Sequence, residues 1–297
     1  MTPFFIALQF LTRLKIVNQT EWSVDDFGKS VVAFPYVGLI IGLILALLYG
    51  ILSPFIPLVP LMLIIVIAEF LITGGLHADG LMDTSDGLFS GRERERKLEI
   101  MKDSRIGSFG VVAFVFVTLL KWQLLTAIPT AEFIPMALIM MPLMSRWSLV
   151  LSIRSYPYAR KEGMGAAFAN LAPKHVITYN TLSTFFMPIV ILIIGVILYT
   201  LLYGAYAIFS IADVGYVVGL GVLVYATLGI FQINIVSMII TYIINRLLNH
   251  YIVKQLGGTT GDTYGFVVEV TEVILLFVYI VILSILFATV ASNTTMF

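Results

Sequence analysis

Thirty-two consecutive residues, Val214 to Asn245, carry no charged side chain. The natural solvent for so long a run is the hydrocarbon interior of a bilayer, which about 20 mostly apolar helical residues cross. There every backbone N–H and C=O must be satisfied within the chain, which makes such a run helical. Similar stretches recur at 31–52, 58–76, 107–128, 133–153, 182–203 and 267–290. Composition agrees, since 60% of residues are hydrophobic and 11% charged, against roughly 45–50% and about 25% in soluble domains. Too few charges remain to coat a soluble surface, and so apolar a chain does not stay disordered in water. The expectation is an all-α polytopic membrane protein, a single integral-membrane domain over 1–297, with about seven transmembrane helices.

Pro54, Pro57 and Pro60 interrupt the uncharged run between the first two spans and predict a tight hairpin. The opening stretch Thr2–Leu14 is too short to cross and reads as an interfacial helix. No small-residue cleavage site follows it, so no cleavable leader is expected. With a cytoplasmic N-terminus, fifteen of the seventeen basic residues fall in cytoplasmic segments. Lys121 and Arg146 lie within spans, and the outer loops 53–57, 129–132 and 204–213 hold no basic residue. Splitting 214–245 into two crossings would move Arg246 and Lys254 outside, against the positive-inside bias, so one long helix is expected there.

The absence of cysteine removes thiol catalysis and thiolate metal sites, and three scattered histidines are too few for a histidine-rich metal centre. A net charge of zero gives no reason to expect nucleic-acid binding. The remaining polar residues gather in three segments on the cytoplasmic side. In the first, Gly74–Gly87, Asp79, Asp83 and Asp86 are spaced i, i+4, i+7. On a helix they fall within about 60° of one another. Carboxylates so crowded repel unless a cation lies between them, and hard oxygen ligands suit magnesium or manganese. The alternative is a solvated or capping acidic cluster, disfavoured because a carboxylate directly after an apolar span is costly.

The alternating run Arg92–Lys97 reads as a solvated helical face. Lys102 and Arg105 either hold phosphate oxygens or snorkel to the membrane surface, with Asp103 as a metal ligand or their ion-pair partner. The second segment, Arg154–Gly165, mixes Arg154 and Arg160 with aromatics and glycines, a weak signal for an anion site. Arg146, inside the fourth span, needs an acidic partner within the bundle. The third segment places four glycines between Gly257 and Gly265, a loop or broken helix tolerable at the membrane only beside a cavity. Asp262, Glu269 and Glu272 follow. Asp262 could face the first cluster as a second acidic site, or these acids could simply pair with Lys121 and Arg146. From the residues alone the reading ends at a metal-dependent transferase acting on a diphosphate, with one bulky or amphiphilic substrate.

The segment Gly-Gly-x-His-x-Asp-Gly-Leu-x-Asp-x-x-Asp-Gly at 74–87, followed by Glu99–Gly107, resembles the cobalamin synthase family. Tyr158-Ala159-Arg160 with Glu162–Gly165, Gly257–Asp262 and Gln9–Leu14 resemble it too, so the likeness spans nearly the whole chain. One departure is Lys15, where the family often has proline. The resemblance implies transfer of α-ribazole, or its 5′-phosphate, onto adenosylcobinamide-GDP with release of GMP. It implies Mg²⁺, with Mn²⁺ as a substitute, held by Asp79, Asp83, Asp86 and Asp262. Asp83 and Asp262 are the catalytic candidates, and Lys102, Arg105, Arg154 and Arg160 the phosphate-binding ones, with His77 contacting substrate. The setting is the cytoplasmic (inner) membrane with its lipid, the site facing the cytoplasm, and a homo-oligomer is left open. Two rivals stay in view. A prenyltransferase predicts a second Asp pair, and Asp262 has no Asp four residues away. An ion-coupled transporter predicts internal repeats, and none is visible.

Overall fold

The computed structural model describes residues 3–17, 22–160, 163–209 and 213–294. A short helix α1 (Pro3–Leu11) precedes α2 (Val24–Lys29), and a 3₁₀ turn leads into α3 (Phe34–Leu52). Ser23 caps α2 through its hydroxyl, which accepts from the Asp26 N–H at 3.0 Å. α4 (Leu58–Thr73), α5 (Leu76–Phe89), α6 (Arg94–Ile100), α7 (Ser108–Thr126) and α8 (Ile134–Ser155) follow. The chain closes with α9 (Met164–Leu171), α10 (Val176–Phe209), α11 (Asp213–Leu256) and α12 (Gly261–Thr294). Among the described residues no β-strand forms, only an isolated bridge between Tyr158 and Thr259.

Among the described residues six helices are long and apolar enough to cross a membrane, and seven if the bent pair α4–α5 counts as one span. The expected helix over 214–245 is continuous within α11, with no second crossing. The prolines between α3 and α4 make the expected hairpin. The second span differs from its predicted limits 58–76. Gly74 and Gly75 both adopt positive φ, 64° and 74°, conformations cheap only for glycine. α4 therefore stops at Thr73, and α5 leaves at 90° to it. α5 is thus turned out of the line of α4. The expected helix at Thr2–Leu14 forms over Pro3–Leu11, and Ile6, Ala7, Leu8 and Leu11 are buried against the bundle. Thr2, Lys161, Glu162 and 210–212, which carried parts of the sequence reading, lie outside the described residues.

α8 is the axis of the bundle: 89% of its membrane-length window is buried, against 17% for α7. Gly38 and Gly42 of α3, four residues apart, let the two backbones touch. A Cβ on Gly38 would sit 2.2 Å from the Pro142 carbonyl oxygen, and one on Gly42 2.6 Å from Ile139 Cα. On its other side α8 meets α11 through a buried amide ladder. Asn245 donates to the Ser148 carbonyl and to Ser152 Oγ, both at 2.8 Å, and Asn249 donates to Ser152 Oγ at 2.9 Å. The outer face of α7 exposes Val112, Phe116 and Leu119, as a lipid-facing helix should.

The three polar segments meet at one end of this bundle. In the run Arg92–Lys97 the residues Arg92 to Arg96 are exposed, as a solvated face requires, and Lys97 is buried. Arg94 Nε donates to the Leu256 carbonyl at 2.8 Å, closing the end of α11. Lys97 is buried and bonded to Gln255.

Candidate active site

Asp79, Asp83 and Asp86 fall on α5, as the helical spacing requires, but their surroundings differ. Asp86 is buried: its Oδ2 accepts from the Gly107 N–H at 2.7 Å and its Oδ1 from the Gly110 N–H at 2.9 Å. It therefore closes the N-terminus of α7, where free backbone donors and the helix dipole favour an anion. The two glycines admit it closely, since a Cβ on Gly107 would lie 2.3 Å from Asp86 Oδ1. Asp79 is exposed and Asp83 partly so.

Across from them stands the N-terminus of α12. Thr260 and Thr263 cap it reciprocally: Thr260 N–H donates to Thr263 Oγ1 at 2.8 Å, and Thr263 N–H to Thr260 Oγ1 at 3.2 Å. The loop before it is clamped to the segment after α8. Thr259 N–H donates to the Pro157 carbonyl and Ala159 N–H to the Thr259 carbonyl, both at 2.8 Å. That pairing aims Arg160 at Asp262, with Nη2 2.9 Å from Oδ2. Gly80 of α5 abuts this helix start, where a Cβ would meet the Asp262 carbonyl oxygen at 2.5 Å. The close crossing sets Asp79 and Asp83 beside Asp262. Burial pushes the Asp83 carboxyl up to about 7, with the charges of Asp79, Asp262 and Asp86 adding and Arg160 opposing.

Among the described residues no three Asp, Glu or His side chains converge tightly enough to enclose a metal ion. The donor set nevertheless fits magnesium. Mg²⁺ commonly takes one or two carboxylates and completes its shell with water and substrate phosphate oxygens. A buried carboxyl such as Asp83, beside the charges of Asp79 and Asp262, gains from such a cation.

The other expected site residues lie elsewhere. Arg105 is exposed and forks onto Asp103, with Nε–Oδ1 at 3.0 Å and Nη2–Oδ2 at 2.7 Å. Those hydrogen bonds draw the Asp103 carboxyl down to about 2, so Asp103 pairs with Arg105. Lys102 and Arg154 are exposed, and neither forms an ion pair among the described residues.

His77 is 3% exposed and faces inward, its Nδ1 3.3 Å from Arg146 Nη2. It belongs to a second group of charges inside the bundle. Lys121 bonds Glu272 and lies 2.7 Å from Glu269 and 3.4 Å from Glu69. Arg146 bonds Glu272, as its position in the fourth span demanded, and approaches Glu69 at 3.8 Å. Ser145 donates to Glu272 at 2.7 Å. Sequence reasoning missed Glu69, although a lone carboxylate in an apolar span is itself a signal.

The sequence profile described as cobalamin-5-phosphate synthase matches residues 3–280. A Fusobacterium nucleatum protein named adenosylcobinamide-GDP ribazoletransferase is 35% identical over 292 residues, covering 95% of this chain and 98% of its own. A protein of the same name from Desulforamulus reducens is 37% identical over 274 residues, 92% of this chain and 93% of its own. Another from Desulfitobacterium hafniense is 34% identical over 278 residues, 93% and 95% of the two chains. No solved structure matches the chain.

Proposed function

This chain belongs to the cobalamin-5-phosphate synthase family, and we propose on that premise that it acts as an adenosylcobinamide-GDP ribazoletransferase. The observation that carries the site assignment is the convergence of Asp79, Asp83 and Asp262 with Arg160 where α5 crosses the start of α12. The hydroxyl of α-ribazole 5′-phosphate attacks the phosphorus bound to cobinamide. The bond from that phosphorus to the bridging oxygen breaks, and GMP departs carrying that oxygen. The hydroxyl proton passes to a carboxylate, Asp262 or Asp83. Arg160, held by the Pro157–Thr259 clamp, offers a fixed guanidinium to the phosphate oxygens. A bound Mg²⁺, held by Asp79 and Asp83 with Asp262 as a further ligand, would supply charge neutralisation for the diphosphate. Asp86, spent on the α7 terminus, would fix the pitch of α5.

The product class accords with the family's description, which names a 5-phosphate. The clustering of basic residues at the end of the bundle that holds the aspartates supports a site facing the cytoplasm across the inner membrane. The test is GMP release from adenosylcobinamide-GDP and α-ribazole 5′-phosphate by the detergent-solubilised protein, with and without Mg²⁺. Metal-dependent release of GMP is expected. Hydrolysis without transfer, or transfer indifferent to chelator, would overturn the reading.

A further inference from the structure

A cavity of about 820 Å³ lies between α1 and the α4–α5 turn and reaches Asp79. Phe10, Phe70, Leu76 and Met82 offer apolar surface, and Arg13 and Lys15 offer exposed cations. The polar side chains Gln9, Thr12 and Thr73 also line it, but they donate to the backbone carbonyls of Val17, Leu8 and Glu69. Neither cation has an acidic partner among the described residues. The wall that bears them is anchored. Arg13 N–H donates to the Ile72 carbonyl at 2.7 Å, and Leu14 N–H donates to Thr12 Oγ1 at 3.1 Å. The Arg13 side chain lies along Gly74 so closely that a Cβ there would meet Nε at 2.0 Å. A bulkier residue in the turn would close the cavity wall.

Unpaired cations beside aromatic and aliphatic walls, with a carboxylate at the inner limit, describe a site for a flat apolar ring carrying an anion. The volume falls in the roughly 300–1,000 Å³ range of pockets that engulf a ligand of drug size. That suits a mononucleotide and excludes a whole corrinoid with its nucleotide. Between the two nucleotides of the reaction, the walls choose one. Guanine presents donors and acceptors that need polar partners when buried. A benzimidazole joined to ribose presents almost none, and matches Phe10, Phe70, Leu76 and Met82. We propose that this cavity is the subsite of the nucleotide alcohol, with its 5′-phosphate on Arg13 and Lys15 and its ribose hydroxyl toward Asp79. The proposal rests on the transferase reading above.

The test compares the full-length wild-type protein with Lys15→Glu in detergent. KM is measured for α-ribazole 5′-phosphate and for α-ribazole at saturating adenosylcobinamide-GDP, and Kd for α-ribazole 5′-phosphate by equilibrium dialysis. Lys15 is exposed, and Lys15→Ala serves if the reversal does not fold. Loss of one charge-assisted contact raises KM and Kd for the phosphorylated substrate about tenfold or more, with a much smaller rise in KM for α-ribazole. Equal rises for both alcohols, or a change confined to the KM of adenosylcobinamide-GDP, would overturn the assignment. If the wild type releases no GMP but binds the nucleotide, and Lys15→Glu raises that Kd, the transferase reading falls and the cavity remains a nucleotide site without the role of acceptor subsite. If it releases GMP while Lys15→Glu leaves Kd unchanged, the cavity assignment alone falls.

Discussion

Inside the bundle Glu69, Glu269 and Glu272 face Lys121 and Arg146, whereas at its polar end Asp79, Asp83 and Asp262 have Arg160 as their cation among the described residues. The interior group joins α4, α7, α8 and α12, and its cations touch carboxylates directly. A buried charge is tolerated only with such partners, and its removal leaves the other partner stranded. The aspartate group is short of positive charge, and Asp83 holds its proton up to about 7, chiefly through burial and further through the charges of Asp79, Asp262 and Asp86. Acidic side chains thus lock four helices together in one place, and in the other leave a deficit of positive charge that a divalent cation would fill.

Substitutions can break this contrast. Asp83→Asn should lower GMP release about 10³-fold, in the range of a lost acid–base group, while gel filtration shows an unchanged particle; turnover near wild type would remove Asp83 from the chemistry. Arg146→Met should act through stability instead. Removing one of the two cations that face the three buried glutamates, with Lys121 left to pair them alone, costs about 3–5 kcal/mol, read as a lower unfolding temperature in detergent and a smaller folded yield, with the remaining folded protein retaining its KM values. Asp86→Ala tests whether the third aspartate belongs with the cap. Losing an N-cap costs about 1–2 kcal/mol, and a loss of Mg²⁺ dependence out of proportion to that stability change would return Asp86 to the metal.

The smallest effect expected is one of pH. The folded-state carboxyl of Asp83 titrates near 7, above its ordinary 3.8, so between those values the folded metal-free protein holds a proton the unfolded chain has lost. Stability contributed by that proton is complete below 3.8 and is lost as pH rises through about 7. Partial exposure keeps the effect to a few degrees of unfolding temperature. A melting series in chelator from pH 5 to about 8 should slope downward for wild type and flatten for Asp83→Asn.

Much of this was legible in the sequence, because hydrophobic runs and helical spacing are local. The single helix through Val214–Asn245, the hairpin at Pro54–Pro57 and the shared face of Asp79 and Asp83 all follow from residue type and position. What local reading did not show depended on the opposing surface. Nothing local to Asp86 shows that Gly107 and Gly110 present their N–H groups to it. His77 sits in a polar motif yet turns inward, because Gly265 lets α12 pass against its backbone at a spot where a Cβ would lie 2.7 Å from its carbonyl oxygen. The Gly74–Gly75 pair marks a break in the sequence, but the 90° direction of α5 depends on the helices it packs against.

On the proposed function the aspartate group, and not the interior one, accepts a divalent ion with the diphosphate. Electron paramagnetic resonance of Mn²⁺ added with adenosylcobinamide-GDP tests it directly. Bound Mn²⁺ should appear in wild type and in Glu269→Gln and disappear in Asp83→Asn. Binding that survives Asp83→Asn, or that is lost with Glu269→Gln in a folded protein, would contradict the account.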